Sequence, residues 1–258
     1  MSPAPDPLDK KFEEDKKKHE EPHRNFTMKQ LRHFDGKKAA PEDEEFKPVY
    51  LSVNGTVFDV SDGRDFYGPE GPYEKFAGRE CGVALAKMSF DEEHLDNLEG
   101  VKSLNFGEKN QLDEWHEKFK YYRNYPVKGR LLLDSALPKA DRIVAKEELA
   151  KYNGEASVDV PEGYGTAPIY VGAGDQVFDV SFGGVESYGP DGPYHKFAGK
   201  DVSRALACMS LKEEDIDNSD LSDLTEKQLK TLNDWIKTYE TKKGYPIVGR
   251  LGKKDFKL

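Results

Sequence analysis

The chain has 258 residues, of which 36% are hydrophobic and 34% are charged, and its formal net charge is −10. This acidic balance argues against nucleic-acid binding as the main activity, because nucleic-acid binders present a basic surface. Aromatic residues make up 11% of the chain, which is more than disordered chains carry, so the sequence can form folded cores.

The first 25 residues are dominated by charge. From Asp9 to Arg24 nearly every residue is Lys, Glu, Asp or His, a composition that cannot bury an apolar face. We expect a solvated tail over residues 1–25, with a charged helix lying on a partner as the alternative. The sequence has neither a signal-peptide pattern nor a run of ~18 apolar residues that could span a membrane. Cys81 and Cys208 are too few for a disulfide framework, so we expect an intracellular, reducing compartment.

The chain contains an internal repeat. The segment VFDVS at 57–61 recurs at 177–181, and YGPEGPYEKFAGRE at 67–80 recurs as YGPDGPYHKFAGKD at 188–201. Two copies of a unit of about 110 residues indicate duplicated globular domains, because a solenoid would need more and shorter units. The predicted division is a charged tail over 1–25, a first domain over 26–133, a linker over 134–142, a second domain over 143–252 and a C-terminal tail over 253–258.

Local signals place the elements of the first copy. Thr27 and Gln30 have the spacing of a capping box, which marks the start of a helix. Asn54-Gly55 between two apolar runs is the strongest short signal for a β-hairpin. Apolar residues at i, i+3 and i+7 from Leu112 predict an amphipathic helix. In chain order, the predicted elements are a helix over 28–34, strands over 49–53 and 56–60, helices over 81–87 and around 112–119, and a strand over 127–131.

Each copy carries a Tyr-Gly-Pro-x-Gly-Pro-Tyr heptad, at 67–73 and at 188–194. Two Gly-Pro pairs hold the backbone in set turns and project two tyrosines from a stiff loop. These tyrosines are either core anchors whose hydroxyls bond the backbone, or the edges of a rigid aromatic pocket for a flat ligand. A phenolate oxygen can ligate ferric haem, because the cation lowers the phenol pKa from about 10.

The sequence around both heptads resembles a known family. The runs VNGTVFDVSDGRDFYGPEGPYEKFAGRECGVALA and VFDVSFGGVESYGPDGPYHKFAGKDVSRALACMSL are similar to the membrane-associated progesterone receptor family. The acidic stretch before each tryptophan, ending DLSDLTEKQLKTLNDW in the second copy, is similar to the family's insertion between two helices. The resemblance implies an α+β fold of two tandem cytochrome b5-like haem/steroid-binding domains.

The resemblance also implies a haem site in each domain. Cytochromes b5 hold haem between two histidines, one of them in a His-Pro-Gly-Gly loop, and neither copy has that loop. The family uses instead the tyrosine of the Gly-Pro-Tyr step as a single axial ligand, which implies that Tyr73 and Tyr194 bind the haem iron. The first tyrosine of the heptad assists by hydrogen bonding, and a tyrosine before the last strand meets a haem propionate. The cofactor-binding residues implied by position are Tyr67, Tyr73, Tyr125, Tyr188, Tyr194 and Tyr245.

Both copies depart from the family at one position. The family has a lysine directly before the propionate-binding tyrosine, and Asn124 and Gly244 stand there in this chain. A propionate without an ammonium partner loses a charge-assisted hydrogen bond of about 1–3 kcal/mol, so we expect haem b, one per domain, to be held weakly. Lys120, Lys242 and Lys243 are candidates to reach the same place from a longer loop.

Two classes of function follow. The first is a non-catalytic adaptor that binds haem, or alternatively a sterol, and docks on membrane haem enzymes. No nucleophile–base pair supports an enzyme. The second is a structural accessory subunit of a larger complex, such as a mitochondrial membrane complex, with empty or vestigial pockets. In both, protein partners supply the membrane association, at endomembranes or mitochondria. An electron carrier is the weakest hypothesis, because tyrosinate stabilises ferric iron.

Overall fold

The computed structural model of the chain describes residues 23–40, 43–155 and 159–252. The predicted N-terminal tail therefore lies outside the described residues up to residue 22. The predicted C-terminal tail over 253–258 lies outside them entirely.

The chain divides into two compact units whose boundaries differ from the sequence repeat at one end. The first unit contains Leu31–Leu131, and the second joins Arg24–Gln30 to the chain from Leu132 onward. Seven residues around the start of the first repeat thus group with the second unit.

This seven-residue segment begins with strand β1 (Arg24–Phe26) and leads into helix α1 (Met28–Leu31). The predicted capping box is confirmed: the Gln30 amide donates to the Thr27 hydroxyl at 3.1 Å, and the Thr27 amide donates to the Gln30 side-chain oxygen at 3.2 Å. The helix is shorter than the predicted 28–34, because the chain turns immediately after Leu31.

The first unit is built on antiparallel strands β2 (Tyr50–Val53), β3 (Thr56–Asp59) and β4 (Val127–Leu131), hydrogen-bonded in the order β4-β3-β2. The predicted hairpin turn is confirmed. Asn54 and Gly55 have φ of 52° and 75°, the left-handed backbone that a type I′ turn needs and that these residue types tolerate. The hairpin therefore fixes the register of β2 on β3.

Helices cover one face of this sheet. They are α2 (Arg64–Tyr67), α3 (Gly82–Ala86) and α4 (Phe106–Glu117). Asn105 caps α4 in a capping box with Glu108. The helical path continues past Glu117 as one π-helical turn over Lys118–Tyr122. The apolar stripe predicted along this helix packs into the core of the unit, with Leu112 and Phe119 buried.

The second unit repeats this arrangement with additions. Its elements are β5 (Ile143–Val144), α5 (Lys146–Leu149), β6 (Tyr170–Ala173), β7 (Gln176–Asp179), α6 (Val185–Tyr188), β8 (Lys200–Asp201), α7 (Ser203–Cys208), α8 (Glu226–Lys237) and β9 (Ile247–Leu251). Its five strands lie in the order β5-β9-β7-β6-β8. A π-helical turn over Thr238–Lys243 follows α8, as in the first unit.

Packing details recur between the units as the repeat predicts. The rings of Phe34 and Tyr50 lie 4.2 Å apart in the first unit, and those of Tyr152 and Tyr170 lie 4.1 Å apart in the second. The strand pairing shifts register after Val57 in the first unit and after the equivalent Val177 in the second. The predicted α+β fold with two tandem domains is confirmed.

Asn25 explains why the segment before the first unit belongs to the second. Its side-chain amide donates to the Thr166 carbonyl at 3.1 Å and to the Ser181 hydroxyl at 2.8 Å. Its side-chain oxygen accepts the Gly165 amide at 2.7 Å, and the residue is 0% exposed. The prediction of a solvated tail through residue 25 is therefore wrong at its end, because Asn25 has all its polar groups satisfied inside a fold formed ~150 residues later in sequence.

We expect Asn25→Ala to destabilise the second unit by about 1–3 kcal/mol, because it leaves buried hydrogen-bonding groups without partners. The chain has two tryptophans, one in each unit, so a Trp115→Phe background leaves Trp235 as the reporter of the second unit during urea unfolding. In the reciprocal Trp235→Phe background, Trp115 reports the unfolding of the first unit. If Asn25→Ala shifted only the Trp115 transition and left the Trp235 transition unchanged, the segment would belong to the first unit instead.

Asp179 at the end of β7 is a buried carboxyl that no cation among the described residues pairs with. Its Oδ1 accepts from the Ser181 amide and hydroxyl and from the Ile169 amide, while its Oδ2 is buried with no hydrogen-bond partner among the described residues. Burial raises the pKa of Asp179 to about 7, although these hydrogen bonds act to lower it. The equivalent Asp59 in the first unit lies 3.7 Å from the ammonium of Lys128 on β4. In the second unit the residue equivalent to Lys128 is the buried Val248 on β9.

We expect Asp179→Asn to stabilise the second unit above pH 7, by roughly 1–3 kcal/mol. Folded Asp179 holds its proton up to about pH 7, whereas an unfolded aspartate releases it near pH ~3.9, so wild-type stability falls between those values and stays low above them. Urea unfolding from pH 4 to 8, followed by Trp235, measures this slope, which the substitution should flatten. Asp59→Asn is the control and should destabilise the first unit at pH 8 by breaking its ion pair. If Asp179→Asn kept the wild-type dependence of stability on pH, that dependence would not come from the titration of Asp179.

Candidate functional site

The heptad of the first unit folds back over α2. The Tyr73 amide donates to the Phe66 carbonyl at 2.9 Å, and the Gly68 amide donates to the Arg64 carbonyl at 2.7 Å. Gly71 makes this close approach feasible, because a Cβ there would lie 2.5 Å from the Phe66 carbonyl oxygen. The loop therefore holds Tyr67 and Tyr73 side by side, with ring centroids 5.9 Å apart.

The three tyrosines predicted as site residues in the first unit, Tyr67, Tyr73 and Tyr125, line one cavity of about 220 Å³. The other lining residues are Phe66, Phe76, Ala84, Leu85, Met88, Ser89, Phe90, Trp115, Lys118, Phe119 and Arg123. The walls are thus mostly aromatic and apolar, which suits a flat hydrophobic ligand.

The phenols differ in their surroundings. The Tyr73 ring lies near-parallel to Phe76 and Phe90, at centroid distances of 5.9 and 5.7 Å. Tyr67 packs more deeply, edge-on to Tyr125, and burial raises the pKa of both phenols. Tyr67 and Tyr125 are therefore neutral hydroxyls at physiological pH that can donate hydrogen bonds.

Two cations at the cavity were not predicted from the sequence. Lys118 lies over the Trp115 ring, with its ammonium 4.2 Å from the ring centroid, and Arg123 lies over Phe66 at 5.7 Å. Both line the cavity, whereas Lys120, the candidate from the sequence, has its ammonium 5.1 Å from the exposed Tyr121 ring. The i, i+3 spacing from Trp115 was the available signal for Lys118.

Trp115 brings a further polar group to the wall. Its indole Nε1 is buried and has no hydrogen-bond partner among the described residues. A buried donor without a partner costs about 1–3 kcal/mol.

The second unit places its predicted tyrosines in matching positions. Tyr188 and Tyr194 have ring centroids 5.9 Å apart, with the same 36° interplanar angle as the first pair, and Tyr245 is buried beside Tyr239. Here Tyr194 is 41% exposed. The hydroxyls of Tyr188 and Tyr239 form a buried hydrogen bond of 2.6 Å. Sequence reasoning missed this pair. The signal was available, because aligning LDEWHEKF at 112–119 with LNDWIKTY at 232–239 places Tyr239 opposite Phe119.

Comparison with known proteins identifies the class to which this fold and site belong. Residues 27–132 and 145–249 each match the family described as cytochrome b5-like heme/steroid binding domain. The chain belongs to this family and carries its domain twice.

Several relatives narrow the class. A probable steroid-binding protein 3 of Arabidopsis thaliana is 48% identical over 108 residues, which are 42% of this chain and 97% of the relative. The cytochrome P450 regulator dap1 of Schizosaccharomyces pombe is 33% identical, over 50% of this chain and 76% of the relative. The human membrane-associated progesterone receptor component 2 is 39% identical, over 42% of this chain and 45% of the relative. These relatives confirm the resemblance to the membrane-associated progesterone receptor family.

Among solved structures, a hypothetical protein from Arabidopsis thaliana with a cytochrome b5-like fold is 42% identical. The match covers 46% of this chain and 97% of that protein, with a TM-score of 0.36. Within the described part of the chain, no helix has the length and apolar character needed to cross a bilayer.

Gly63 sits directly behind the cavity tyrosines. A methyl group on it would lie 2.5 Å from the Tyr125 hydroxyl oxygen and 3.3 Å from the Tyr67 ring. We expect Gly63→Ala to destabilise the first unit by about 1–3 kcal/mol, because neither ring can move without disturbing its packed neighbours.

The measurement is urea unfolding followed by Trp115 in a Trp235→Phe background. Gly107→Ala on α4 is the matched control, since its methyl group would meet nothing nearer than 3.5 Å and alanine favours a helix. Equal stability of the two variants would show that the tyrosines behind Gly63 are not tightly packed.

Proposed function

We propose that this protein is a non-catalytic adaptor that binds haem in the cavity of its first unit, with Tyr73 as the axial ligand. The observation that carries the proposal is the position of Tyr73, which lines an apolar cavity beside the rings of Phe76 and Phe90, in a wall that also contains two cationic side chains. A porphyrin needs these features: flat apolar walls, one anionic oxygen for the iron, and cations for its carboxylates.

The side chains of the first unit fit this group. Lys118 and Arg123 line the cavity and supply the positive charge that the missing family lysine would have given to the propionates. Tyr67 offers a neutral hydroxyl beside Tyr73. When bound, haem supplies a ferric centre that tyrosinate stabilises against reduction, a chemistry suited to holding or delivering haem rather than relaying electrons.

The size of the cavity predicts how firmly the ligand is held. Its volume of about 220 Å³ is below the ~300–1,000 Å³ of typical ligand pockets, so only part of a porphyrin would be enclosed. Partial enclosure with one axial bond favours exchange of the haem with solvent or with another protein. This supports the expectation of weakly held haem b.

The relatives support the adaptor role. One of them is named as a regulator of cytochrome P450, and others are named as steroid-binding proteins. We therefore propose that this chain docks on membrane haem enzymes through protein contacts, and that its membrane association comes from those partners. A structural accessory subunit with empty pockets is the function that follows if the cavity binds neither haem nor sterol.

Hemin titration of the purified full chain tests the proposal. We expect a ferric tyrosinate absorption spectrum in the wild type. In Tyr73→Phe, which removes the axial oxygen and keeps the ring, we expect that spectrum to be lost and affinity to fall at least tenfold, or ~1.4 kcal/mol.

Tyr122→Phe is the matched control, because Tyr122 is an exposed tyrosine that does not line the cavity, and it should bind hemin like the wild type. No Soret shift in the wild type would reject haem binding. Tight binding of progesterone or cholesterol without hemin binding would identify a sterol site.

A further inference from the structure

We propose that the two units differ as binding sites: the first takes the planar ligand, and the second is held closed by the Tyr188–Tyr239 hydroxyl pair. This inference rests on the proposed function and assigns the ligand to one of the two candidate sites. The residue that decides is Phe119 in the first unit and Tyr239 in the second.

Phe119 and Tyr239 occupy equivalent places. Each is the second residue of its π-helical turn. Each backbone carbonyl accepts the amide of the tyrosine six residues later, Tyr125 or Tyr245, and both bonds are 3.0 Å long. Since the backbone is the same, the difference between the two sites lies in the side chains.

The hydroxyl of Tyr239 changes what its neighbouring tyrosine can do. In the second unit it bonds the Tyr188 hydroxyl at 2.6 Å, and these residues are 2% and 7% exposed. A ligand entering beside Tyr188 would have to break this bond and leave two buried hydroxyls unsatisfied. Phe119 has no hydroxyl, so Tyr67 cannot form such a pair in the first unit.

The rim of the second site is also less suited to a planar anion. Thr238 stands where Lys118 lines the first cavity, and its hydroxyl donates to the Asp234 carbonyl at 2.8 Å. Leu211 stands at the position of Phe90, the ring that lies near-parallel to Tyr73. These replacements remove a cation and an aromatic wall at equivalent positions.

Gln30 braces this closed arrangement. Its side-chain amide donates to the Phe182 carbonyl at 2.6 Å and to the Lys243 carbonyl at 2.8 Å. Phe182 precedes the helix that ends in Tyr188, and Lys243 ends the π-helical turn that carries Tyr239. One side chain thus ties together the two segments that supply the hydroxyl pair.

The test is hemin titration of the full chain, repeated with metal-free protoporphyrin IX as a probe that needs no axial bond. We expect one equivalent of hemin in the wild type, lost in Tyr73→Phe and retained in Tyr194→Phe. We expect Tyr239→Phe to add a second equivalent that disappears when Tyr194→Phe is combined with it. The reciprocal Phe119→Tyr should weaken binding of both probes at the first site at least tenfold. Far-UV circular dichroism and the Trp115 and Trp235 unfolding transitions verify that each variant is folded.

The outcomes separate this inference from the proposed function. If the wild type bound two equivalents of hemin with equal affinity, haem binding would stand but the proposed difference between the two units would be overturned. Loss of hemin binding in the single variant Tyr194→Phe would also overturn that difference. A stoichiometry of one in folded Tyr239→Phe would overturn the hydroxyl pair as the closing element. A wild type that binds neither hemin nor protoporphyrin would overturn the proposed function, and this inference with it.

Discussion

The geometry of the candidate site depends on one close backbone contact. Where the heptad turns back on α2, Gly71 leaves room for the Phe66 carbonyl to accept the Tyr73 amide. This contact sets the spacing of the two phenols before any ligand is considered, and the second unit reproduces the spacing through the equivalent bond from Tyr194 to Ser187. The fixed loop presents the oxygen, and the side chains around it decide what can approach it.

Local sequence signals predicted the local structure well. The Asn54-Gly55 turn, the capping box at Thr27 and the final strand over 127–131 depend on neighbouring residues, and all three are present. The tandem duplication and the tyrosine pair also followed from the repeat. These features share one property, which is that the interactions defining them are close in sequence or are carried by a recognised motif.

Features that depend on long-range packing could not be predicted. The burial of Asn25 needs partners ~150 residues away, which no periodicity encodes. The cation of the cavity was misplaced because Lys120 was expected to reach it from a loop, whereas the helical path continues over Lys118–Tyr122. Lys118 follows Trp115 by three residues and lines the cavity with it, whereas Lys120 does not line it. The sequence shows that Tyr239 replaces Phe119 in the second copy. Only the structure shows that its hydroxyl lies within hydrogen-bonding distance of the Tyr188 hydroxyl.

The duplicated units differ in the buried polar groups that bind the hairpin backbone. Glu80 in the first unit is fully buried and accepts the amides of Asn54, Gly55 and Gly82 and the Ser52 hydroxyl. In the second unit Ser203 takes over part of this role, accepting the Gly174 amide while bonding Asp201. Each copy satisfies the same hairpin backbone with a different polar group, so substitutions at these positions do not transfer between copies.

The grouping of Arg24–Gln30 with the second unit matters for any fragment of this chain. The chain leaves the second unit after Gln30, forms the whole of the first, and returns at Leu132, so the first unit is an insertion within the second. A fragment that starts at Leu132 would lack the hydrogen bonds that Asn25 and Gln30 make to the second unit. Division of the chain between the two sequence repeats would therefore leave the second unit without part of its own structure.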